Sequence, residues 1–170
     1  GSVPDIYGDA LKLPVKDESI HTVLLIDVLE HISDTNRLLW EIYRALEPDG
    51  RLIMQVPFLY PLHDEPRDYV RLTIHGYREL ARKSGFLLEK YNSMGHPVET
   101  STMLINIAMS KTVLEWLKDK NPAAIFVIIL PVFVLFSNLL ARLISILSKE
   151  DSFMPYSYQL TFRKESKEIN

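Results

Sequence analysis

The chain has 170 residues, of which 47% are hydrophobic and 24% charged, so it can form one packed domain with an appendage. The net charge of −3 excludes the concentrated basic face of a nucleic-acid-binding protein. The absence of cysteine excludes disulfides, thiolate nucleophiles and cysteine-ligated zinc. Residues 1–5 lack the charged-then-apolar run of a secretory signal peptide, so none is expected.

The first predicted elements lead into a buried strand. Residues 4–14 indicate a short strand that ends near Asp9. The continuous apolar run Val23–Ile26 is typical of a strand that is buried on both faces, and it stops at Asp27.

A helix is predicted from about Asp34 to Glu47, and Ser33 or Asp34 can cap its first N–H groups. Its apolar stripe consists of Leu38, Leu39, Ile42 and Leu46, whereas Arg37, Glu41 and Arg44 lie off that stripe. Residues 48–50 break the helix, and Leu52–Val56 is a second apolar strand. A strand, a helix and a strand of these lengths predict a right-handed βαβ unit with parallel strands.

A long connection, residues 58–76, follows the second strand and carries charges of both signs. Connections of this length in compact domains are usually functional. Thr73 is predicted to cap a helix that ends at Ser84, with Gly85 as its left-handed stop. The next predicted strand is Phe86–Tyr91.

The last third of the chain is strongly apolar. Residues 101–120 predict a helix, and no charge occurs from Ala123 to Ala141. Three interpretations remain open for residues 123–147: helices at a membrane interface, a buried lid or dimer face, and a membrane span. Pro131 and the pair 137–138 are expected to divide the segment into two helices that are too short to span a bilayer.

A final strand is predicted from residues 156–163, where apolar and polar side chains alternate. This alternation is typical of a half-exposed strand, and we expect it at the antiparallel edge of the sheet.

Four motifs occur in an order and at a spacing that resemble the class I S-adenosylmethionine-dependent methyltransferases, especially the quinone-biosynthesis type. They are residues 8–14, 17–20, 27–32 and 41–50. The resemblance implies a Rossmann-like sheet in the strand order 3-2-1-4-5-7-6, which this chain enters at the third strand. The family's Gly-rich cofactor loop does not precede Gly8. The resemblance therefore implies the C-terminal part of a methyltransferase.

This resemblance divides the chain into a methyltransferase core at 1–97, a hydrophobic helical insertion at 98–152, a final core strand at 153–165 and a tail at 166–170. The expected fold class is α/β. We expect a Rossmann-like, mostly parallel sheet that lacks its N-terminal strands, with the α-helical insertion placed before the last antiparallel strand.

The cofactor implied by the resemblance is S-adenosylmethionine. Asp9 is expected to accept a hydrogen bond from the adenine amino group, or else to be a turn residue. Asp27 is expected to contact the methionyl end or merely to end a strand, and His31 to face the ligands or to cap a helix. The full expected cofactor set is Gly8, Asp9, Ala10, Leu11, Asp27, Val28 and His31.

The acceptor side is expected in the loop 58–72. His63 is the candidate general base, because an unperturbed histidine accepts a proton near neutral pH, and the alternative is a salt-bridged loop anchor. The expected substrate-contacting set is Phe58, Tyr60, His63, Asp68, Tyr69 and Arg71. No metal site is expected, since the Asp27–His31 spacing alone offers too few ligands.

The expected function is methyl transfer from S-adenosylmethionine to an unidentified acceptor, for which a lipid-linked molecule is one candidate, with this segment inactive by itself. The alternative is a non-catalytic module, derived from a methyltransferase, that binds a membrane or a partner. Expected partners are the small-molecule or lipid-linked acceptor and, through 123–147, a membrane surface or a second copy, but no nucleic acid. The expected location is cytoplasmic, either free or peripheral at the inner face of the membrane.

Overall fold

The computed structural model describes residues 6–149 and 151–165. Its strands are β1 (Ile20–Ile26), β2 (Leu46–Pro57), β3 (Phe86–Met94) and β4 (Ser157–Lys164). Its α-helices are α1 (Thr35–Ala45), α2 (Ile74–Lys83), α3 (Pro97–Lys118) and α4 (Leu130–Leu147), and Leu29–His31 and Pro122–Ile128 are 3-10 turns. The described residues divide into an α/β unit (6–58, 62–93 and 157–165) and a helical unit (59–61, 94–149 and 151–156).

The α/β unit contains a four-stranded mixed sheet in the order β1-β2-β4-β3. β1 and β2 are parallel and joined through α1, which confirms the predicted βαβ unit. The order reproduces the 4-5-7-6 part of the sheet that the family resemblance implies. The edge position expected for the last strand is wrong, because β4 lies between β2 and β3 and pairs with β2 in antiparallel register.

Local sequence signals set the helix ends. The Asp34 side chain accepts a hydrogen bond from the Arg37 N–H at 2.9 Å and caps α1. The helix ends two residues earlier than predicted, because Leu46 already pairs with Ile20 of β1 as the first residue of β2. Thr73 caps α2, and Gly85 follows that helix with a φ of +79°, as predicted.

The core of the α/β unit lies on one side of the described sheet. Leu52, Met54 and Val56 of β2 pack with apolar side chains of α1 and α2. Strand alternation directs the intervening residues to the other face. On that face Leu24 is 65% exposed and Ile26 is 49% exposed, so the prediction that β1 is buried on both faces is wrong.

The short strand predicted within residues 4–14 is absent from residues 6–14. In that part of the chain Asp9 and Lys12 form only an isolated bridge, with Lys12 N–H donating to the Asp9 carbonyl at 2.9 Å. Residues 4 and 5 lie outside the described residues. β1 is consequently an edge strand of the described sheet, and β3 is the other.

In the helical unit, α4 runs unbroken for 18 residues, so the prediction of two short helices is wrong. Pro131 lies in the first turn of α4, where its missing N–H is not needed for an intrahelical hydrogen bond. The Ser137 hydroxyl donates to Asn106 Oδ1 of α3 at 3.0 Å, and Asn106 Nδ2 donates to the side-chain oxygen Oδ1 of Asn138 at 3.1 Å. Ser137 and Asn138 both stay inside the helix. Among the described residues, α4 alone is long and apolar enough to span a membrane, as judged by length and composition.

Candidate functional site

A cluster of ionisable side chains forms where the turn after β1 meets the loop between β2 and α2. Two of its members belong to the 3-10 turn that follows β1, and three belong to the loop. In parallel sheets ligands bind at this carboxyl end of the strands. The members are Glu30, His31, His63, Asp68 and Arg71.

Backbone hydrogen bonds hold the loop against the turn. The Tyr69 N–H donates to the Glu30 carbonyl oxygen at 2.7 Å. The His31 Nδ1 lies 2.7 Å from the Arg67 carbonyl oxygen. Because a carbonyl oxygen only accepts, Nδ1 carries the proton and the Nε2 lone pair points away from this bond. The bond to Arg67 fixes the orientation of the His31 ring, and the bond from Tyr69 holds the loop against the turn.

His63 connects the turn to the charged pair in the loop. Its ring packs edge-on against the His31 ring, with centroids 4.9 Å apart. Its Nε2 lies 4.0 Å from Glu30 Oε1, and its Nδ1 lies 3.4 Å from Asp68 Oδ2. The His63 backbone N–H also donates to Asp68 Oδ2, at 3.1 Å. His63 therefore lies between two carboxylates.

Asp68 and Arg71 form a two-pronged ion pair in which both terminal guanidinium nitrogens contact the carboxylate. The Asp68 side chain is only 2% exposed. Burial raises the pKa of Asp68, but hydrogen bonds from Arg71 and from the His63 backbone outweigh it and hold the pKa below 3.8. The buried ion pair anchors the loop.

Glu30, in the 3-10 turn that follows β1, is not among the site residues expected from the sequence. Its side chain is 1% exposed, and neither carboxylate oxygen has a hydrogen-bond partner. Burial is the largest influence on Glu30 and raises its pKa. The nearby backbone N–H of Glu30 itself and the neighbouring His31 lower the pKa by less. The sequence offers one signal for a buried Glu30, namely that it directly follows Leu29, which lies in the core.

The expected cofactor residues lie in two separate local structures. Asp9 Oδ1 accepts a hydrogen bond from the Leu11 N–H at 2.9 Å, which closes the Asp9 turn. Asp27 has a φ of +50°, and its Oδ2 lies 3.3 Å from Gln55 Nε2. Gly8, Asp9 and Asp27 are exposed, whereas Ala10, Leu11, Val28 and His31 are half-buried. Their role in cofactor binding stays a prediction.

The polar face of α1 holds the segment that follows the Asp9 turn. Glu41 is buried, although the sequence pattern places it off the apolar stripe. Its Oε2 accepts from the Leu13 N–H at 3.1 Å and from Arg44 at 2.9 Å. Arg37 donates to the Leu11 carbonyl oxygen at 3.2 Å. The hydrogen bond from Arg44 is the largest cause of the lowered pKa of Glu41.

The expected acceptor residues are only partly brought together. His63, Asp68 and Arg71 contact one another, as described above. Phe58 is half-buried and its ring lies 5.4 Å from that of Tyr158 in the core of the α/β unit. The backbone of Tyr69 is bonded to Glu30, but its side chain is exposed. Tyr60 is an exposed residue of the helical unit.

Comparison with known proteins identifies part of the chain. Residues 3–54 match the sequence model of a family described as a methyltransferase domain. Over 52 residues the chain is 40% identical to a demethylmenaquinone methyltransferase of Streptomyces griseus subsp. griseus, an alignment covering 31% of this chain and 23% of that protein. A demethylmenaquinone methyltransferase of Lactobacillus johnsonii is 42% identical over 45 residues, which are 26% of this chain and 18% of that protein. The chain thus spans less than a quarter of the length of these relatives.

Solved structures of low sequence identity share the fold. The cyclase SpnF is similar with a TM-score of 0.55 at 17% identity, over 93% of this chain and 54% of SpnF. Phosphoethanolamine N-methyltransferase 2 of Haemonchus contortus is similar with a TM-score of 0.51 at 18% identity, over 94% of this chain and 36% of that protein. Residues 3–54 are thus similar in sequence to a methyltransferase domain, and the strand order of the described sheet agrees with that similarity.

Proposed function

We propose that this chain supplies the acceptor side of an enzyme that transfers a methyl group from S-adenosylmethionine to a lipid-linked acceptor. The observation that carries methyl transfer is the family match over residues 3–54, which includes β1, α1 and most of β2. Methyl transfer mainly requires the acceptor atom to lie in line with the sulfonium group of the cofactor. A fixed loop such as 62–72 is suited to that positioning.

The adenine end of the cofactor is proposed to bind at the Asp9 turn. Asp9 is exposed, and α1 holds the following residues through the Arg37 bond to the Leu11 carbonyl. The carboxylate would accept from the adenine amino group, and the Ala10 N–H would donate to the ring. These residues supply hydrogen bonds to adenine, whereas no Gly-rich loop precedes Gly8 in the 170 residues.

Calorimetry with S-adenosylmethionine tests this division of the cofactor site. We expect the 170-residue chain to bind the cofactor weakly or not at all, because it offers only the adenine side. Micromolar affinity would contradict the proposal that the methionyl contacts lie elsewhere. The gene sequence upstream of Gly1 gives a second test, since a strand ending in a Gly-rich loop within about 60 residues would support the enzyme.

Two substitutions, made in the protein that the whole gene encodes, separate the cofactor side of the site from its acceptor side. Asp9→Ala should weaken cofactor binding by about 1–3 kcal/mol, the cost of losing a hydrogen bond to a buried partner. His63→Ala should lower turnover more than cofactor affinity, because its loop belongs to the acceptor side. Equal effects of both variants on cofactor affinity would contradict this assignment.

A lipid-linked acceptor is supported by an apolar cavity within the helical unit. The cavity has a volume of about 350 Å³, enough for part of an acyl or isoprenoid chain. Its lining residues include Ala108, Met109, Val113, Trp116, Phe126, Ile129, Leu130 and Phe133. Lipids with brominated chains should quench Trp116 fluorescence, and replacing Ile129 and Phe133 by Ser should reduce the quenching. Trp40→Phe removes the other tryptophan as background.

The second candidate function is a non-catalytic module that binds a membrane. It is favoured by α4, in which Ala141 alone is buried and most apolar side chains are exposed. An apolar surface of this kind usually marks a membrane or protein contact. Flotation of the chain with liposomes, combined with no methyl transfer by the protein that the whole gene encodes, would favour this second function.

A further inference from the structure

We propose that Glu30, His31 and His63 bind one divalent transition-metal ion of the zinc class. Each residue offers one ligand atom, and these three atoms all lie within 4.8 Å of one another. The sequence contains no spacing that predicts the site, because the loop brings His63 to the turn only in the folded chain. The proposal does not depend on methyl transfer.

The orientation of His31 fits metal binding. Its Nδ1–H donates to the Arg67 carbonyl oxygen at 2.7 Å, so the lone pair is on Nε2. Nε2 lies 3.9 Å from Glu30 Oε1. Metal-binding histidines usually donate their other ring N–H to a carbonyl or a carboxylate, which fixes both the tautomer and the ring orientation.

Glu30 provides the second, independent observation. Its side chain is 1% exposed, and both carboxylate oxygens lack a hydrogen-bond partner. Buried polar groups in folded proteins are almost always paired, and each exception calls for an explanation such as an ion. A cation bound between Glu30 and the two imidazoles would satisfy this carboxylate where no protein donor does.

His63 completes the set from the opposite side. Its Nε2 lies 4.0 Å from Glu30 Oε1, and its Nδ1 faces Asp68 Oδ2 at 3.4 Å. Arg71 also approaches Nδ1, at 3.4 Å, and fixes Asp68 through their ion pair. The arrangement resembles the carboxylate–histidine–metal chains in which an outer carboxylate orients a ligand.

The donor set identifies the class of ion. Two imidazoles and a carboxylate suit zinc and neighbouring first-row metals, whereas Mg²⁺ and Ca²⁺ prefer oxygen ligands. Tetrahedral zinc with bonds of about 2.0–2.2 Å places its ligand atoms about 3.3–3.6 Å apart. The distances of 3.9 and 4.0 Å from Glu30 Oε1, and the outer limit of 4.8 Å for the set, therefore require the three side chains to move closer together when an ion binds.

Calorimetric titration of the chelator-treated chain with zinc chloride tests the site. We expect one ion per chain, with at least about tenfold weaker affinity for each of His31→Ala, His63→Ala and Glu30→Gln. His75→Ala is the matched control, since His75 is an exposed histidine on α2, and it should bind zinc as the unmodified chain does. Circular dichroism of each variant establishes that it is folded.

The result that would overturn the site is undiminished zinc binding by the folded Glu30→Gln variant and by either histidine variant. If both alanine variants fail to fold, X-ray absorption of the zinc-loaded unmodified chain decides instead. Two imidazole nitrogens and a carboxylate oxygen around zinc would support the proposal. A zinc ion with fewer than two imidazoles, or a chain that binds no zinc at all, would refute it.

Discussion

Two glutamates of the α/β unit are buried to nearly the same extent but have opposite surroundings. Glu41 is 3% exposed and accepts hydrogen bonds from Arg37, Arg44 and the Leu13 N–H. Glu30 is 1% exposed and accepts none on its side chain. The pKa of Glu41 is lowered and that of Glu30 is raised. A buried acid that the protein itself satisfies belongs to the scaffold, whereas an unsatisfied one indicates a ligand.

The largest effect is expected from Glu41→Gln. This change removes the charge that balances Arg37 and Arg44, so it should lower the Tm by about 5–10 °C. Glu79→Gln is the matched control, because Glu79 pairs with Arg82 at the surface of α2 and its loss should hardly change the Tm. Thermal unfolding followed by circular dichroism measures both. Equal losses in the two variants would contradict the scaffold role of Glu41.

The stabilisation by Glu41 should also depend on pH. Its folded-state pKa lies below the ordinary value of 4.5, so the folded state keeps the charge longer than the unfolded chain does. The Tm difference between the unmodified chain and Glu41→Gln should therefore be complete above pH 4.5. It should close progressively as the pH falls through the folded-state pKa. A difference that stays constant from pH 7 to pH 3 would show that packing, rather than charge, is responsible.

The parts of the fold that could be predicted are those that depend on neighbouring residues. Asp34, Thr73 and Gly85 act at the helix ends as their residue types suggest, because capping involves only a few consecutive residues. The βαβ unit follows from two apolar runs and the helix between them. His63, Asp68 and Arg71 contact one another because one loop contains all three, and their role at the acceptor side stays a prediction.

The predictions that were wrong concern features that depend on contacts between distant segments of the chain. Glu41 was placed off the buried stripe, since nothing in α1 shows that Leu13 returns to cover it. The predicted break at Ser137 did not form, because Asn106 of another helix bonds its hydroxyl. Glu30 was missed as a site residue because an acid beside an apolar residue has no periodic signature. Its relation to His63 exists only after the loop has folded.

Glu30→Gln is expected to change the Tm of the metal-free chain least. This variant tests the contrast between Glu30 and Glu41 most directly. When a chelator keeps the chain free of metal, the Tm of Glu30→Gln should stay within about 2 °C of that of the unmodified chain or rise. The substitution keeps the shape of the side chain and removes a buried charge, and it breaks no hydrogen bond of the carboxylate. Zinc at 100 times its dissociation constant should then stabilise the unmodified chain by about 2.7 kcal/mol. The variant should gain much less at the same zinc concentration. A loss in chelator as large as that of Glu41→Gln would make Glu30 a scaffold residue.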